Sequence, residues 1–283
     1  MDKCHFDYID PSFDANSAAQ ATLNVIVGTE SISLYGAGPA GEPLALKTQT
    51  LSAGQSDTLS LKTEWSKVLE EEAILNWSYE SARCAVFNAQ ATLVPRRMFD
   101  ADRLPEYFTL LLPPGDYTYG YDVLTEYECF LAYAADPTLN SLAEQYFPGE
   151  KPTHLATSWL KHLHNIAPAN DFAIFANLRH QIVQVAVLDR QNLLFYNSFQ
   201  CQRPNDLLYY ILLIYDQFKL DPETIPLTLS GCVEEGSETY RLLLRYIREI
   251  RLAQAAPQQR QGPAGIPGHY WLDLACLAAM PRS

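Results

Sequence analysis

Apolar and polar positions in the second half of the chain alternate in short blocks separated by turn residues. Phe172–Leu178 and Ile182–Leu188 run apolar or alternate, joined by the tight connection Arg179-His180, and Leu193–Phe199 comes after Arg190-Gln191-Asn192. These blocks predict a three-stranded meander. Pro204 suits the first turn of a helix reaching about Phe218, with Asn205 and Asp206 near its positive end. Pro226–Leu229 predicts a short strand ending at Gly231, and Ser237 is placed to cap a helix over Glu238–Ile250. The order is β-β-β-α-β-α, with room for a last strand near the C-terminal end.

The first half repeats that order less cleanly. Thr22–Val27, Ile32–Tyr35 and Leu44–Thr50 predict three strands, Leu59–Leu75 a helix and Ala82–Asn88 a strand. Val94-Pro95 introduces a helical stretch through Leu112, interrupted at Pro105. Tyr117–Leu124 and Tyr127–Tyr133 predict a β pair, and Asp136-Pro137 opens a helix to about Tyr146. A repeated meander followed by βα units describes two ribonuclease-H-like domains of mixed α/β sheets. A pair of unrelated α+β domains fits the same order.

Charge sharpens the division. Residues 1–150 carry 8 Lys+Arg and 22 Asp+Glu, a net of −14, while residues 151–283 carry 12 and 11, a net of +1. With the punctuation at Pro148, Gly149 and Pro152, this predicts an acidic first domain over 1–152 and a second over 153–283. Hydrophobic residues at 48% against 19% charged ones exclude a disordered chain. The acidic balance argues against nucleic acid as a partner. The longest apolar run, Leu207–Tyr215, is too short to insert into a membrane, and the acidic start does not resemble a signal peptide. The six cysteines, Cys4, Cys84, Cys129, Cys201, Cys232 and Cys276, show no metal-site spacing and read as reduced thiols of a cytoplasmic protein. The stretch Ala253–Gly268, rich in Gln, Pro and Gly, reads as a surface loop or linker.

Candidate chemistry is sparse. Gly36-Ala37-Gly38-Pro39-Ala40-Gly41 is a GxGxxG string, which would suggest a dinucleotide-binding enzyme. The chain continues as Glu42-Pro43 and an alternating run instead of a helix, so the string is expected to be a hairpin turn. His162 and His164, two apart, point in different directions on a helix and would not share an ion; His180, in a tight turn, is expected to be solvated. No HExxH, nucleophile elbow or P-loop is present, and no residue is assigned as catalytic or metal-binding. Two surface features could meet a partner protein. Tyr117, Tyr119 and Tyr121 share one face of a strand, which a sheet more often covers. Arg241, Arg245 and Arg248 recur at helical spacing opposite Leu243, Tyr246, Ile247 and Ile250, and form a basic line suited to an acidic partner.

The stretches Leu193–Phe199, Asn205–Tyr210 and Pro226–Gly231, with Val94-Pro95 and Phe99, resemble an uncharacterised protein family of Bacteroidetes. That family is similar to the actin-like ATPase fold, built from two ribonuclease-H-like domains. The resemblance implies a cleft between the domains, where active members of the fold bind Mg-ATP on glycine-containing turns. The turn Val27-Gly28-Thr29-Glu30-Ser31 keeps glycine and threonine but has Ile26 where the acid is expected. Leu178-Arg179-His180-Gln181 has neither glycine nor acid. Ser230-Gly231-Cys232 and Gly236-Ser237 keep part of an adenosine turn. If a nucleotide binds, Gly28, Thr29, Ser230, Gly231 and Gly236 are the residues to hold it. The resemblance leaves two expectations: a non-enzymatic actin-like scaffold with degenerate nucleotide motifs, or a divergent ATP-binding protein.

Overall fold

The computed structural model describes residues 5–51, 58–147, 151–169, 171–254, 263 and 265–281. The boundary residues Pro148 and Gly149, most of the Gln/Pro/Gly stretch, and Cys4 lie outside them. The first sheet contains β1 (Asp7–Ile9), β2 (Thr22–Gly28), β3 (Ser31–Ala37), β4 (Pro43–Thr50), β5 (Ser81–Phe87) and β9 (Thr153–His154), in the order β1-β4-β3-β2-β5-β9. A single turn of helix, α1 (Ala15–Ala18), capped by Asp14, connects β1 to β2. The second sheet contains β10 (Phe172–Arg179), β11 (Ile182–Asp189), β12 (Asn192–Gln200), β13 (Leu227–Gly231) and β14 (Ile250–Leu252), in the order β12-β11-β10-β13-β14.

Setting β1 aside, the two orders correspond strand for strand. Each sheet is an antiparallel meander whose first strand also pairs in parallel with a strand returning on its other side. A further parallel strand completes each sheet, β9 beside β5 and β14 beside β13. The first sheet thus reaches two residues past the boundary expected at 152.

Alternation along the strands sorts the core into layers, since successive side chains leave opposite faces. Leu23, Val25 and Val27 face α2 (Thr58–Glu71) and α3 (Pro137–Tyr146), where Trp65, Leu139 and Leu142 are buried. Ile26 and Tyr35 face the opposite way, against Trp271, Leu274 and Leu277 of the C-terminal segment that includes α7 (Leu272–Ala278). In the second sheet, Ile174, Ala176, Leu178, Val183, Val185 and Val187 pack on α5 (Pro204–Gln217) and α6 (Glu238–Leu243). Phe175, Ala186 and Leu188 turn toward Trp159 and Leu160 of α4 (Leu155–Ile166). Helices α4 and α7 therefore lie between the two sheets, in contact with each other.

A third sheet, ordered β6-β8-β7, comprises β6 (Ala91–Pro95), β7 (Thr118–Leu124) and β8 (Cys129–Ala135). The helical stretch expected over Val94–Leu112 is corrected here. Val94-Pro95 ends β6, where a missing N–H is tolerated, and short 3₁₀ segments cover Arg96–Met98 and Ala101–Phe108 around Pro105. The helix expected over Glu238–Ile250 stops at Leu243, because Ile250–Leu252 must extend to pair with Leu227–Leu229. The glycine string is a hairpin: Gly36 lies in β3, Gly41 takes φ +80° in the turn, and β4 comes next, antiparallel. No helix succeeds these glycines, which removes the dinucleotide site. Cys84, Cys129, Cys201 and Cys276 are free thiols, whereas Cys232 is disulfide-bonded, which corrects the expectation of six reduced cysteines. Among the described residues, no helix is long and apolar enough to cross a membrane.

Candidate functional site

The inner faces of the two main sheets carry polar residues at alternate positions of otherwise apolar strands. Asn24, Ser33, Asn177, Arg179, Gln184 and Ser230 are all buried. A buried charge requires a partner and saturated hydrogen bonds. Arg179, the last residue of β10, finds a carboxylate partner and three hydrogen bonds across the gap between the sheets. Its Nε donates to Asp273 Oδ2 at 2.8 Å and its Nη2 to Asp273 Oδ1 at 3.1 Å. Its Nη1 donates to Ser33 Oγ on β3 at 2.8 Å. The planar guanidinium thus joins the second sheet, the first sheet and α7 through a fork that matches the carboxylate. Asp273 Oδ1 also accepts the Leu274 amide at 2.8 Å.

Behind the pair, Ser230 Oγ donates to Asn177 Oδ1 at 2.9 Å, and Asn177 Nδ2 reaches Gln184 Oε1 at 3.3 Å. Gln184 Nε2 then donates to the Tyr196 hydroxyl at 2.9 Å. His180 comes next to Arg179 in the turn, with φ +51°. Its Nε2 is buried, and burial together with the Arg179 charge pushes its pKa down to about 4. The expectation of a solvated His180 is corrected in part: the residue is half-buried and its Nε2 is shielded from solvent, while Gln181 beside it is exposed.

The residues expected to hold a nucleotide have other local roles here. The Gly28 carbonyl accepts Trp65 Nε1–H at 3.3 Å, and Thr29 lies in the β2–β3 turn. Ser230 is engaged with Asn177. Gly231, at φ +79°, would place a Cβ 2.0 Å from the Leu178 carbonyl oxygen, so its glycine serves the close approach of β13 to β10. Gly236, at φ +80°, shapes the turn before the Ser237 cap of α6. Among the described residues, no cluster of His, Cys, Asp or Glu could hold a metal ion.

A second polar cluster fixes α4. Asp122 of β7 accepts the His154 amide at 2.7 Å and the Thr157 hydroxyl at 2.6 Å. Burial raises the Asp122 pKa, and these hydrogen bonds work against the rise. His154 caps α4, its Nδ1 accepting the Ala156 amide at 3.2 Å. Complete burial pushes the His154 pKa down to about 4.

Of the two surface features, the tyrosines are half-buried. Tyr121 meets Phe99 at 4.8 Å between ring centroids, and Tyr119 meets Phe108 at 5.7 Å. The 3₁₀ segments therefore cover the ladder, while Lys151 sits 5.0 Å from the Tyr121 ring centre. Arg241 is on α6, whereas Arg245 and Arg248 lie beyond its end, so the three arginines do not share one helix face. All three are exposed, with Tyr246 exposed beside them instead of buried as expected. Sequence reasoning missed Asp273 and the partnership of Arg179 with Ser33; the available signal was Asn177 and Arg179 two apart at the end of an otherwise apolar strand.

A family model described as a protein of unknown function (DUF3822) matches residues 10–250. No curated protein matches the chain. Among solved structures, a Bacteroides thetaiotaomicron protein with actin-like ATPase fold and unknown function is similar, with a TM-score of 0.74 at 18% identity over 95% of this chain and 99% of that one. The PilM–PilN type IV pilus biogenesis complex gives 0.61 at 12% identity over 91% of this chain and 97% of that one. At such identities the likeness concerns architecture, and the architecture is the actin-like ATPase fold.

Proposed function

Because the chain belongs to this family of proteins of unknown function, its role is read from its own geometry, and we propose a non-enzymatic scaffold that works through protein contacts. The observation that carries this reading is the Arg179–Asp273 pair with Ser33, side chains of 5% and 1% exposure for the pair. In a fold whose active members bind nucleotide between the sheets, this pair and Trp271 occupy the space between them. A nucleotide there would have to separate a buried, bidentate ion pair, which costs several kcal/mol, about 3–5 when one partner is lost.

The exposed group of Arg241, Arg245 and Arg248, flanked by exposed Leu244 and Tyr246, supports an acidic protein partner. The covered face of Tyr117, Tyr119 and Tyr121 supports a second contact only at its edges. The PilM–PilN complex is a precedent for a protein partner on a chain of this fold. The cytoplasm is the proposed compartment, and the division into an acidic domain over 1–152 and a near-neutral one over 153–283 remains part of the same reading.

A thermal-shift titration tests it. Ligand that binds only the folded chain must raise the melting temperature as its concentration passes the dissociation constant. Millimolar Mg-ATP is expected to leave the melting temperature unchanged. A saturable rise would favour the ATP-binding reading, with Gly28, Thr29, Ser230, Gly231 and Gly236 as the first residues to substitute.

A further inference from the structure

Helices α4 and α7 leave between them a cavity of about 440 Å³, the size of a small-molecule site. Ser158, His162 and Asn165 line it from one face of α4, being spaced four and three residues apart. Leu272, Ala275, Cys276 and Ala279 line it from one face of α7, and Met280 extends that apolar wall. Two opposite charges complete the lining, Lys161 of α4 and Glu126 of the short turn after β7. No ion pair joins them among the described residues, and the Glu126 carboxylate accepts only the hydroxyl of neighbouring Thr125 at 3.2 Å. His162 adds a buried Nε2 that has no hydrogen-bond partner among the described residues. Its burial lowers its pKa, so the ring enters as a neutral group.

A cation, an anion and an apolar wall around one cavity are complementary to a zwitterion with an apolar body. A phosphate or a dicarboxylate would face Glu126 across the same space, and a simple hydrocarbon would leave both charges without use. We propose that this cavity binds a free α-amino acid with an apolar side chain. Lys161 takes the carboxylate and Glu126 takes the ammonium, with the His162 ring forming part of the wall beside them. The side chain lies against Leu272, Ala275, Ala279 and Met280.

The test uses the full chain with L-leucine, L-phenylalanine and L-tryptophan as probes, followed by calorimetry and by the NMR signal of the His162 ring, assigned through H162Q. N-acetyl-L-phenylalanine and L-phenylalaninamide, each lacking one charge, are the controls. At least one amino acid is expected to bind saturably at millimolar concentration or below and to move the His162 signal. Each control is expected to bind about tenfold or more weakly, and K161M or E126Q to weaken the amino acid by about tenfold, the loss of one charge contact. Ala279→Trp, at an exposed position on the rim, is expected to abolish binding while the unliganded melting temperature stays unchanged. Absence of saturable binding by all three amino acids overturns the proposal. So does binding that the controls match, or that A279W and K161M leave intact. None of these outcomes depends on the response to Mg-ATP.

Discussion

Arg179 engages each of its three nitrogens at once, with both oxygens of Asp273 and the hydroxyl of Ser33. Removing one member leaves the other charge buried without a partner, so Arg179→Met is expected to destabilise the protein by about 3–5 kcal/mol in urea unfolding. The double change R179M/D273L removes both charges and is expected to recover much of that loss; equal losses in the single and double variants would contradict the pairing. The sequence made Arg179 look like the corner of a tight turn. The structure makes it instead the last residue of β10, where Asn177 and Arg179 share one face and alternate with Ile174, Ala176 and Leu178. Its partner was not legible either. Asp273 is 94 residues away, and a period of two says which residues share a face without saying what that face meets.

The ends of helices were read with uneven success, for a physical reason. Ser237 caps α6 and Pro204 opens α5 as their local chemistry dictates. Helix α7 carries no wide polar face: Leu272–Leu277 are buried throughout, so no amphipathic stripe announces it, whereas α4 does pair buried Leu155, Trp159 and Leu163 with exposed Asn165 and was missed despite that pattern. Helix α4 begins at His154, whose pKa is held at about 4 against an unfolded value near 6.5. The folded state favours the neutral ring. As pH falls below about 6.5 the unfolded chain takes up this proton first, and the stability contributed by neutral His154 is lost toward and through pH 4. Between pH 7 and pH 5 this amounts to about 2 kcal/mol from His154 alone. His154→Asn keeps a capping acceptor and removes the titration. Urea unfolding of the variant is expected to show a smaller loss of stability over that interval, and an unchanged slope would contradict the assignment.

The repeated β-β-β-α-β-α order was enough to anticipate two sheets of matching topology. The return of the C-terminus was not legible. After β14 the chain leaves the second sheet, and α7 packs on α4 and across β2, β3 and β5. The described core beneath it includes Ile26, Tyr35, Ala85 and Phe87 of the first sheet together with Ile182 of the second. A chain ending at Pro267 lacks α7 and Asp273 and would leave that apolar surface uncovered. It is expected to bind the dye ANS and to lose a single cooperative unfolding transition, as native packing is replaced by a looser collapsed state. Retention of one sharp transition would show that α7 is dispensable to the sheets.

The location of α7 also sets a timetable for the growing chain. Residues 22–28 and 31–37 leave the ribosome long before residues 272–278, the helix that covers their inner face. Folding of the first sheet is thereby tied to contacts of very long sequence separation, which close slowly and leave strands exposed to misassembly meanwhile. A nascent chain halted just short of α7 is the state in which a chaperone would find most to hold.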